Sequence, residues 1–448
     1  MKKFYRSLFL LSVIVSACTS SRKNVATQTL NTVDKSEMKY NFGLKSIDGY
    51  VQVTPLIKYT TERGYGIDLN SAVVEKEGFI TGNKPFYFSV KLAEGNYNVS
   101  VKLGDKNGTS DAAIRAENRR MMVNRLQTKK GELSTIDFTV HIRDTIIRNS
   151  NGNSKVRIKP RERVYHHWDD KLTLEFNGAE PKVATIEIKP ADKDVVTIFL
   201  AGNSTVVDQA EEPYAAWGQM IPAYFKPKKV VVANYAESGE SLSSFISAKR
   251  FEKVLSLMKS GDYAFVEFGH NDMKQKGEGI GAFTSYKKDL KFFIAEVKKK
   301  GGYPVLVTSM QRRSFNTEGK IIETLGDYPA AVRQTAQEEN VPLIDLNAMS
   351  KIMYEAWGEK ESLKAFVHFP ANSFPNQKVA LADNTHFTPY GANQIAQIIL
   401  KGIRENVPGL SKFIKPGVPG FDPAKPELFE SFYWPNSSSA TSVKPDGN

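Results

Sequence analysis

From Tyr40 to about Pro190, apolar and polar residues alternate with a period of two, in short runs separated by turn residues. Successive side chains of a strand point to opposite faces, so this pattern predicts strands with one buried face. Phe86–Leu92, Asn96–Leu103, Thr135–Ile142, Leu172–Phe176 and Val183–Ile188 are such runs. The first two flank Glu94-Gly95 and are predicted to pair as a hairpin. Short strands at this spacing predict an all-β sandwich of the jelly-roll kind.

At Val195 the pattern changes. Val195–Leu200, Lys229–Asn234, Tyr263–Phe268, Pro304–Thr308 and Val341–Leu346 are compact apolar runs, as in parallel strands buried on both faces. Helical stretches such as Ser285–Lys300 and Tyr328–Glu339 lie between them. Strand and helix in alternation predict an α/β domain with a parallel sheet. The expected organisation is a β-sandwich over 38–194, an α/β domain over 195–412, and a tail over 413–448 rich in Pro, Gly and Ser that wraps the surface or frays.

The chain has 448 residues, more than one hydrophobic core serves, which agrees with two domains. Its net charge of +12 invites a nucleic-acid reading. The Lys and Arg are scattered among acidic residues, however, and no DNA- or RNA-binding motif is present. A solvated basic surface accounts for this charge, and attraction to a polyanion such as an acidic polysaccharide is the functional alternative. At the N-terminus, Lys2, Lys3 and Arg6 precede an apolar stretch, Leu8 to Val15, too short to span a bilayer. It ends in Val15-Ser16-Ala17-Cys18, which resembles a bacterial lipobox, and Cys18 is the only cysteine of the chain. Residues 1–17 are therefore expected to be a lipoprotein signal peptide, Cys18 the lipidation site, and 18–37 a flexible tether. The mature protein would be exported, free of disulfides, and anchored to a membrane at the periplasmic or cell surface.

Candidate chemistry clusters at the ends of the apolar runs. Ser204, in Gly202-Asn203-Ser204-Thr205, follows the first run and would stand at the carboxyl edge of the sheet, where open α/β folds bind ligands. Gly239 follows the second run and can bring a backbone N–H close to a reacting carbonyl. Asn271, in Gly269-His270-Asn271-Asp272, follows the third, where its amide can donate to an oxyanion. Asp383 and His386 stand three apart before a helix starting near Pro389 and can share one loop, with Asp383 orienting the imidazole. Taken singly, each also suits a structural role: a serine N-cap, a glycine turn, an Asx-turn. Of the other histidines, His141, His166 and His167 fall in the β region as surface or structural residues, and His368 suits packing or a pocket wall.

Together, Gly202-Asn203-Ser204-Thr205-Val206, Gly239, Gly269-His270-Asn271-Asp272 and Asp383-Asn384-Thr385-His386 resemble, in order, the four blocks of the SGNH/GDSL hydrolases. The resemblance implies Ser204 as nucleophile, His386 as base and Asp383 as its partner. It also implies an oxyanion hole formed by the amides of Ser204 and Gly239 and the side chain of Asn271. One departure is Asn203, where the family usually has Asp. With Trp217-Gly218-Gln219 and the flanks of the blocks, residues 195–410 are most similar to the rhamnogalacturonan acetylesterases, and the β region is similar to galactose-binding sandwiches found ahead of such domains. The function implied is a serine esterase that removes O-acetyl groups from a pectic polysaccharide. No cofactor is implied, and the sequence has no His/Asp/Glu cluster with metal-ligand spacing. An esterase or lipase acting on another acyl ester or on acetylated xylan, and a glycan-binding surface lipoprotein, remain alternatives.

Overall fold

The computed structural model describes residues 37–149 and 152–446. The signal segment, Cys18 and the tether up to residue 36 lie outside the described residues.

The β region forms two sheets. Its strands are β1 (Met38–Asn41), β2 (Val51–Gln52), β3 (Tyr65–Asp68), β4 (Phe86–Lys91), β5 (Gly95–Gly104), β6 (Ser110–Ala116), β7 (Arg120–Thr128), β8 (Leu133–Ile142), β9 (Lys171–Glu180) and β10 (Lys182–Pro190). One sheet has the order β8-β5-β10-β1-β2, with a small hairpin at residues 74–81 on β10, and the other the order β3-β4-β9-β6-β7. Alternate residues of both, among them Val99, Val101 and Ile186 from one and Phe86, Phe88 and Leu174 from the other, fill one core. The predicted hairpin is corrected here. β4 pairs with β3 and β9, whereas β5 pairs with β8 and β10. Both runs put an apolar row toward the same core, so Glu94-Gly95 carries the chain across the sandwich rather than back along one sheet.

The second half is built on five parallel strands, β11 (Val196–Gly202), β12 (Val230–Asn234), β13 (Tyr263–Glu267), β14 (Tyr303–Val307) and β15 (Leu343–Ile344), in the order β12-β11-β13-β14-β15. The alternation of the strands separates two cores. Ile198, Leu200, Val232 and Val307 face α5 (Leu346–Ser362) and α6 (Pro389–Asn406). Phe199, Ala201, Ala233 and Val266 face α1 (Leu242–Ser247), α2 (Arg250–Leu257), α3 (Lys287–Lys299) and α4 (Tyr328–Glu339). The start of α6 follows from its sequence: Pro389 opens it, and the Thr388 hydroxyl caps the Gly391 N–H at 3.3 Å. Ile395, Ile399 and Ile403 then recur on the face it buries.

Parts of the β region pack on this second half. Met121, in β7, joins the core of Leu200 and Trp217, while Ile147, Val156 and Trp168 join that of Phe199 and Tyr235. Residues 143–149 and 152–170 thus leave the sandwich between β8 and β9 and cover one face of the parallel sheet. Buried ion pairs cross the same junction: Arg120 with Asp208, Arg119 with Glu212, and Glu162 with Arg250.

Candidate active site

In an open parallel sheet of this order, the chain leaves β11 toward opposite sides, and a crevice opens beyond the carboxyl ends of β11 and β13. Ser204 stands there, just past the end of β11 at Gly202. The turn is tight, because a Cβ on Gly202 would come within 2.4 Å of Val206 Cγ2. The Asn203 side chain stabilises it: Oδ1 accepts the Thr205 N–H at 3.1 Å and the Thr205 hydroxyl at 2.8 Å. Asn203 therefore supplies the acceptor that an Asp would, while its buried Nδ2 has no partner.

Asp383 and His386 lie in β17 (Leu381–Phe387), which pairs antiparallel with β16 (Phe366–Phe369), and not in a free loop as expected from the sequence. The pairing breaks between Phe366 and His368, whose partners are Phe387 and Ala382, so residues 383–386 bulge from the ladder. A regular strand would send positions three apart to opposite faces. The bulge removes that alternation, and Asp383 Oδ1 closes it by accepting the N–H groups of Thr385 at 2.8 Å and His386 at 3.0 Å.

Three side chains from these segments form one hydrogen-bonded line. Ser204 Oγ is 2.8 Å from His386 Nε2, and His386 Nδ1 is 2.7 Å from Asp383 Oδ2. With the carboxylate at Nδ1, that nitrogen carries the proton and Nε2 accepts from the serine. Burial opposes ionisation of Asp383. Hydrogen bonds from the His386 ring and from the two N–H groups outweigh it and hold the carboxyl down at about 2. Tyr214 packs edge-on against the imidazole at 5.9 Å, and Lys444 Nζ lies 3.6 Å from Asp383 Oδ2. All three groups of the line are at most 3% exposed.

The other expected residues lie on neighbouring loops. Gly239, at the turn after β12, has φ +79°, a conformation that favours glycine. Among the described residues, neither its N–H nor that of Ser204 has an acceptor. Asn271 donates one amide hydrogen to Glu240 O at 3.0 Å, which ties its loop to that of Gly239 and leaves the second hydrogen available. Asp272 accepts the N–H groups of Leu242 at 2.8 Å and Gly269 at 2.9 Å, and burial pushes its carboxyl up to about 7.

Several residues that hold these loops escape a sequence reading. Glu267 ends β13, fully buried; it accepts from Trp217 Nε1 at 3.1 Å and lies 3.2 Å from the Thr205 hydroxyl oxygen. Burial raises it to about 7. The one available signal was a carboxylate inside an apolar run. Gln209 Nε2 donates to Ser204 O at 2.9 Å, and Arg119 donates to the carbonyls of Gln209 and Tyr214 at 3.3 and 3.0 Å. Arg120 grips Asp208 with Nε and Nη2 at 2.9 and 2.8 Å. Nothing in the β-region pattern marks these arginines, because Arg119 lies in the turn before β7 and Arg120 is the first residue of that strand.

Glu162, His167 and Glu237 bring three potential metal ligands within 4.8 Å of one another, a group formed from distant segments that no local spacing could reveal. The oxygens of Glu162 already accept from Trp168 Nε1 at 2.8 Å, Lys159 N at 2.6 Å and Arg250 at 2.5 Å, and Glu237 Oε1 accepts from Arg161 at 2.7 Å. A dication would enter a cluster whose charge two guanidinium groups balance, a poor fit. His141 and His167 are buried structural residues, and the His141 ring bridges Asn96 and Tyr235 at 2.7 and 2.9 Å. His368 lies 2.9 Å from Asn384 Oδ1 and lines an aromatic cavity of about 380 Å³ with Phe369 and Tyr390.

The segment that holds Ser204, Gly239, Asn271, Asp383 and His386 is similar to known proteins. Residues 200–393 match the model of the GDSL-like lipase/acylhydrolase family. The chain is 41% identical over 215 residues to the rhamnogalacturonan acetylesterase RhgT of Bacillus subtilis, an alignment covering 48% of this chain and 91% of the relative. It is 24% identical over 422 residues to the uncharacterised esterase YxiM of the same organism, covering 90% and 98% of the two chains. The crystal structure of YxiM superposes with a TM-score of 0.43, over 86% of this chain and all of the other. With that family model over residues 200–393 and a relative 41% identical over 91% of its own length, the chain belongs to the GDSL-like lipase/acylhydrolase family.

Proposed function

We propose that the protein is a serine esterase that removes O-acetyl groups from a pectic polysaccharide of the rhamnogalacturonan type. The observation that carries the chemistry is the line Ser204–His386–Asp383, with contacts of 2.8 and 2.7 Å. A serine hydroxyl is a weak nucleophile until a neighbouring base takes its proton. His386 Nε2 takes it as Oγ attacks the acetyl carbonyl, and Asp383 stabilises the imidazolium that forms. The carbonyl oxygen gains negative charge, which the N–H groups of Ser204 and Gly239 and the second amide hydrogen of Asn271 bind. His386 then protonates the departing sugar hydroxyl. Water, deprotonated by the same imidazole, attacks the acetyl-enzyme and releases acetate.

Two observations support the substrate. One is the 41% identity to a rhamnogalacturonan acetylesterase over the half of the chain that holds the site. The other is a cavity of about 300 Å³ bounded by Tyr214, Gln209 and Ser238, near the nucleophile, whose wall carries charges of both signs, Arg161 and Lys444 beside Glu211 and Asp446. Charged groups of this kind suit a hydroxyl-rich glycan better than a long acyl chain. Acetate release from acetylated pectin, acetylated xylan and a long-chain ester, measured side by side, tests the reading. Fastest turnover on pectin is the expected result; preference for the long-chain ester contradicts it.

The location we propose rests on Val15-Ser16-Ala17-Cys18. Cys18 carries the lipid of an exported, membrane-anchored protein. Firm anchoring needs more than one acyl chain. Cys18→Ala is expected to release the processed protein from membranes in its host, and equal membrane retention rejects the anchor.

A further inference from the structure

Residues 237–240 form a β-turn closed by the Glu240 N–H on Glu237 O at 3.3 Å. Gly239 is its third residue, and φ +79° there identifies type II. Types I and II differ in the direction of the central peptide, here Ser238–Gly239, which is turned over between them. In a planar trans peptide the C=O and N–H point opposite ways, so whatever holds the Ser238 carbonyl also aims the Gly239 N–H. Two cations hold it. Lys159 Nζ donates to Ser238 O, and Arg161 Nη2 donates to the same oxygen at 2.8 Å. Each cation is fixed by a carboxylate at one end of the turn. Lys159 pairs with Glu240 at 3.1 Å, and Arg161 with Glu237 at 2.7 Å. Lys159 and Arg161 belong to the segment between β8 and β9. Glu162 anchors that segment, accepting from Lys159 N at 2.6 Å and pairing with fully buried Arg250.

We propose that Lys159 and Arg161 are positioning residues for the oxyanion-binding peptide: they lock the Ser238–Gly239 peptide in its type II orientation and polarise it, so that the Gly239 N–H meets the charge formed on the substrate carbonyl. This rests on the assignment of Gly239 under the proposed function. A cation on the carbonyl oxygen draws electron density through the amide and strengthens the N–H as a donor. With both cations gone, the turn is free to flip, and the N–H then points away from the nucleophile. The β region thereby completes a site to which it contributes no reacting atom.

The test uses the full chain and a small activated acetate ester, with Lys159→Met, Arg161→Gln, the double variant and Arg161→Lys. Each of the first two is expected to lower kcat by about 10-fold, and the double by ~10²–10³, as when one oxyanion donor is lost. KM should move less than about 3-fold, because the donor acts on charge that develops during the reaction. A tetrahedral boronate should lose affinity in parallel with kcat, and Arg161→Lys should keep most of the rate. If the double variant does not fold, the single variants carry the same comparison. Unchanged kcat, a loss confined to KM, or equal losses in Arg161→Lys and Arg161→Gln overturns the proposal. Mapping an organophosphate label in each variant separates the two levels. Label on Ser204 with unchanged kcat sinks only the peptide lock, whereas label on another serine sinks the site assignment beneath it.

Discussion

The two halves of the chain meet at the candidate active site in different ways. The α/β half supplies Ser204, Gly239, Asn271, Asp383 and His386, each at or near the end of an element of the parallel sheet or in the bulge before α6. The β half supplies charged side chains that grip the loops between them: Arg119 and Arg120 the loop after Ser204, Lys159 and Arg161 the turn at Gly239. The proposed reacting groups are set out by the sheet, and the loops that carry Ser204 and Gly239 are bonded to a neighbouring layer. A loop beyond a strand end has few backbone partners of its own, so its orientation depends on what packs beside it. In this protein that partner is a second fold, held by buried ion pairs.

This contrast predicts that substitutions in the two halves fail differently. The largest effect is expected in the α/β half. Ser204→Ala and His386→Ala should each lower kcat by about 10⁴–10⁶ with folding intact, and the double variant should be hardly worse than either, as for groups acting as one unit. Additive losses in steady-state kinetics would show that the two act separately.

Next comes stability at the junction. Arg120 and Asp208 are 1% exposed, and Arg120→Met would leave Asp208 buried without its guanidinium. Breaking such a pair costs about 3–5 kcal/mol, whereas replacing both partners with apolar groups is often close to neutral. Urea unfolding should therefore show a large loss for Arg120→Met and a much smaller one for Arg120→Met with Asp208→Leu. If the double variant is the less stable, the pair is not what binds the halves.

Asn271→Ala sharpens the comparison at intermediate size. kcat should fall by ~10²–10³ with KM nearly unchanged, the signature of a donor used as charge develops. A change confined to KM would make Asn271 a ground-state binding residue.

The smallest effect expected is a pH dependence. Burial raises Glu267 from 4.5 to about 7 and Asp272 from 3.8 to about 7. Between those limits the unfolded chain gives up these protons more readily than the folded protein, so their contribution is fully present below pH ~4 and lost as pH rises through about 7. The buried histidines His141, His167 and His270, held below their ordinary value, act in the opposite sense over the same range, so the difference between variants is the test: the thermal midpoint of Glu267→Gln should rise relative to that of the wild type from pH 5 to pH 8. An unchanged slope would remove Glu267 from the explanation.

The asymmetry between the halves also explains what could be read from the sequence. The five apolar runs of the α/β half became its five strands, because buried parallel strands are written as continuous local patterns. The polar blocks after them lie next to Ser204, Gly239 and Asn271 for the same reason. Alternation in the β half revealed strands but not their partners, since a row facing the core from either sheet looks the same. Hence Phe86–Lys91 and Gly95–Gly104, adjacent in sequence, pair in different sheets. The bulge at Asp383–His386 depends on β16, which no nearby residue announces. Arg119, Lys159 and Arg161 carry no periodicity, and the site-loop residues they bond, Tyr214, Glu237 and Ser238, lie 76–95 residues away, so only the folded chain relates them to the site.

The central claim, that Ser204 is the nucleophile activated by His386, is tested most directly by covalent labelling. A serine-directed organophosphate should add one adduct to the wild-type protein, located at Ser204 by peptide mass mapping, and none to Ser204→Ala, with His386→Ala reacting far more slowly. An adduct on Ser238 or Ser241 instead, or full esterase activity in Ser204→Ala, would contradict the account.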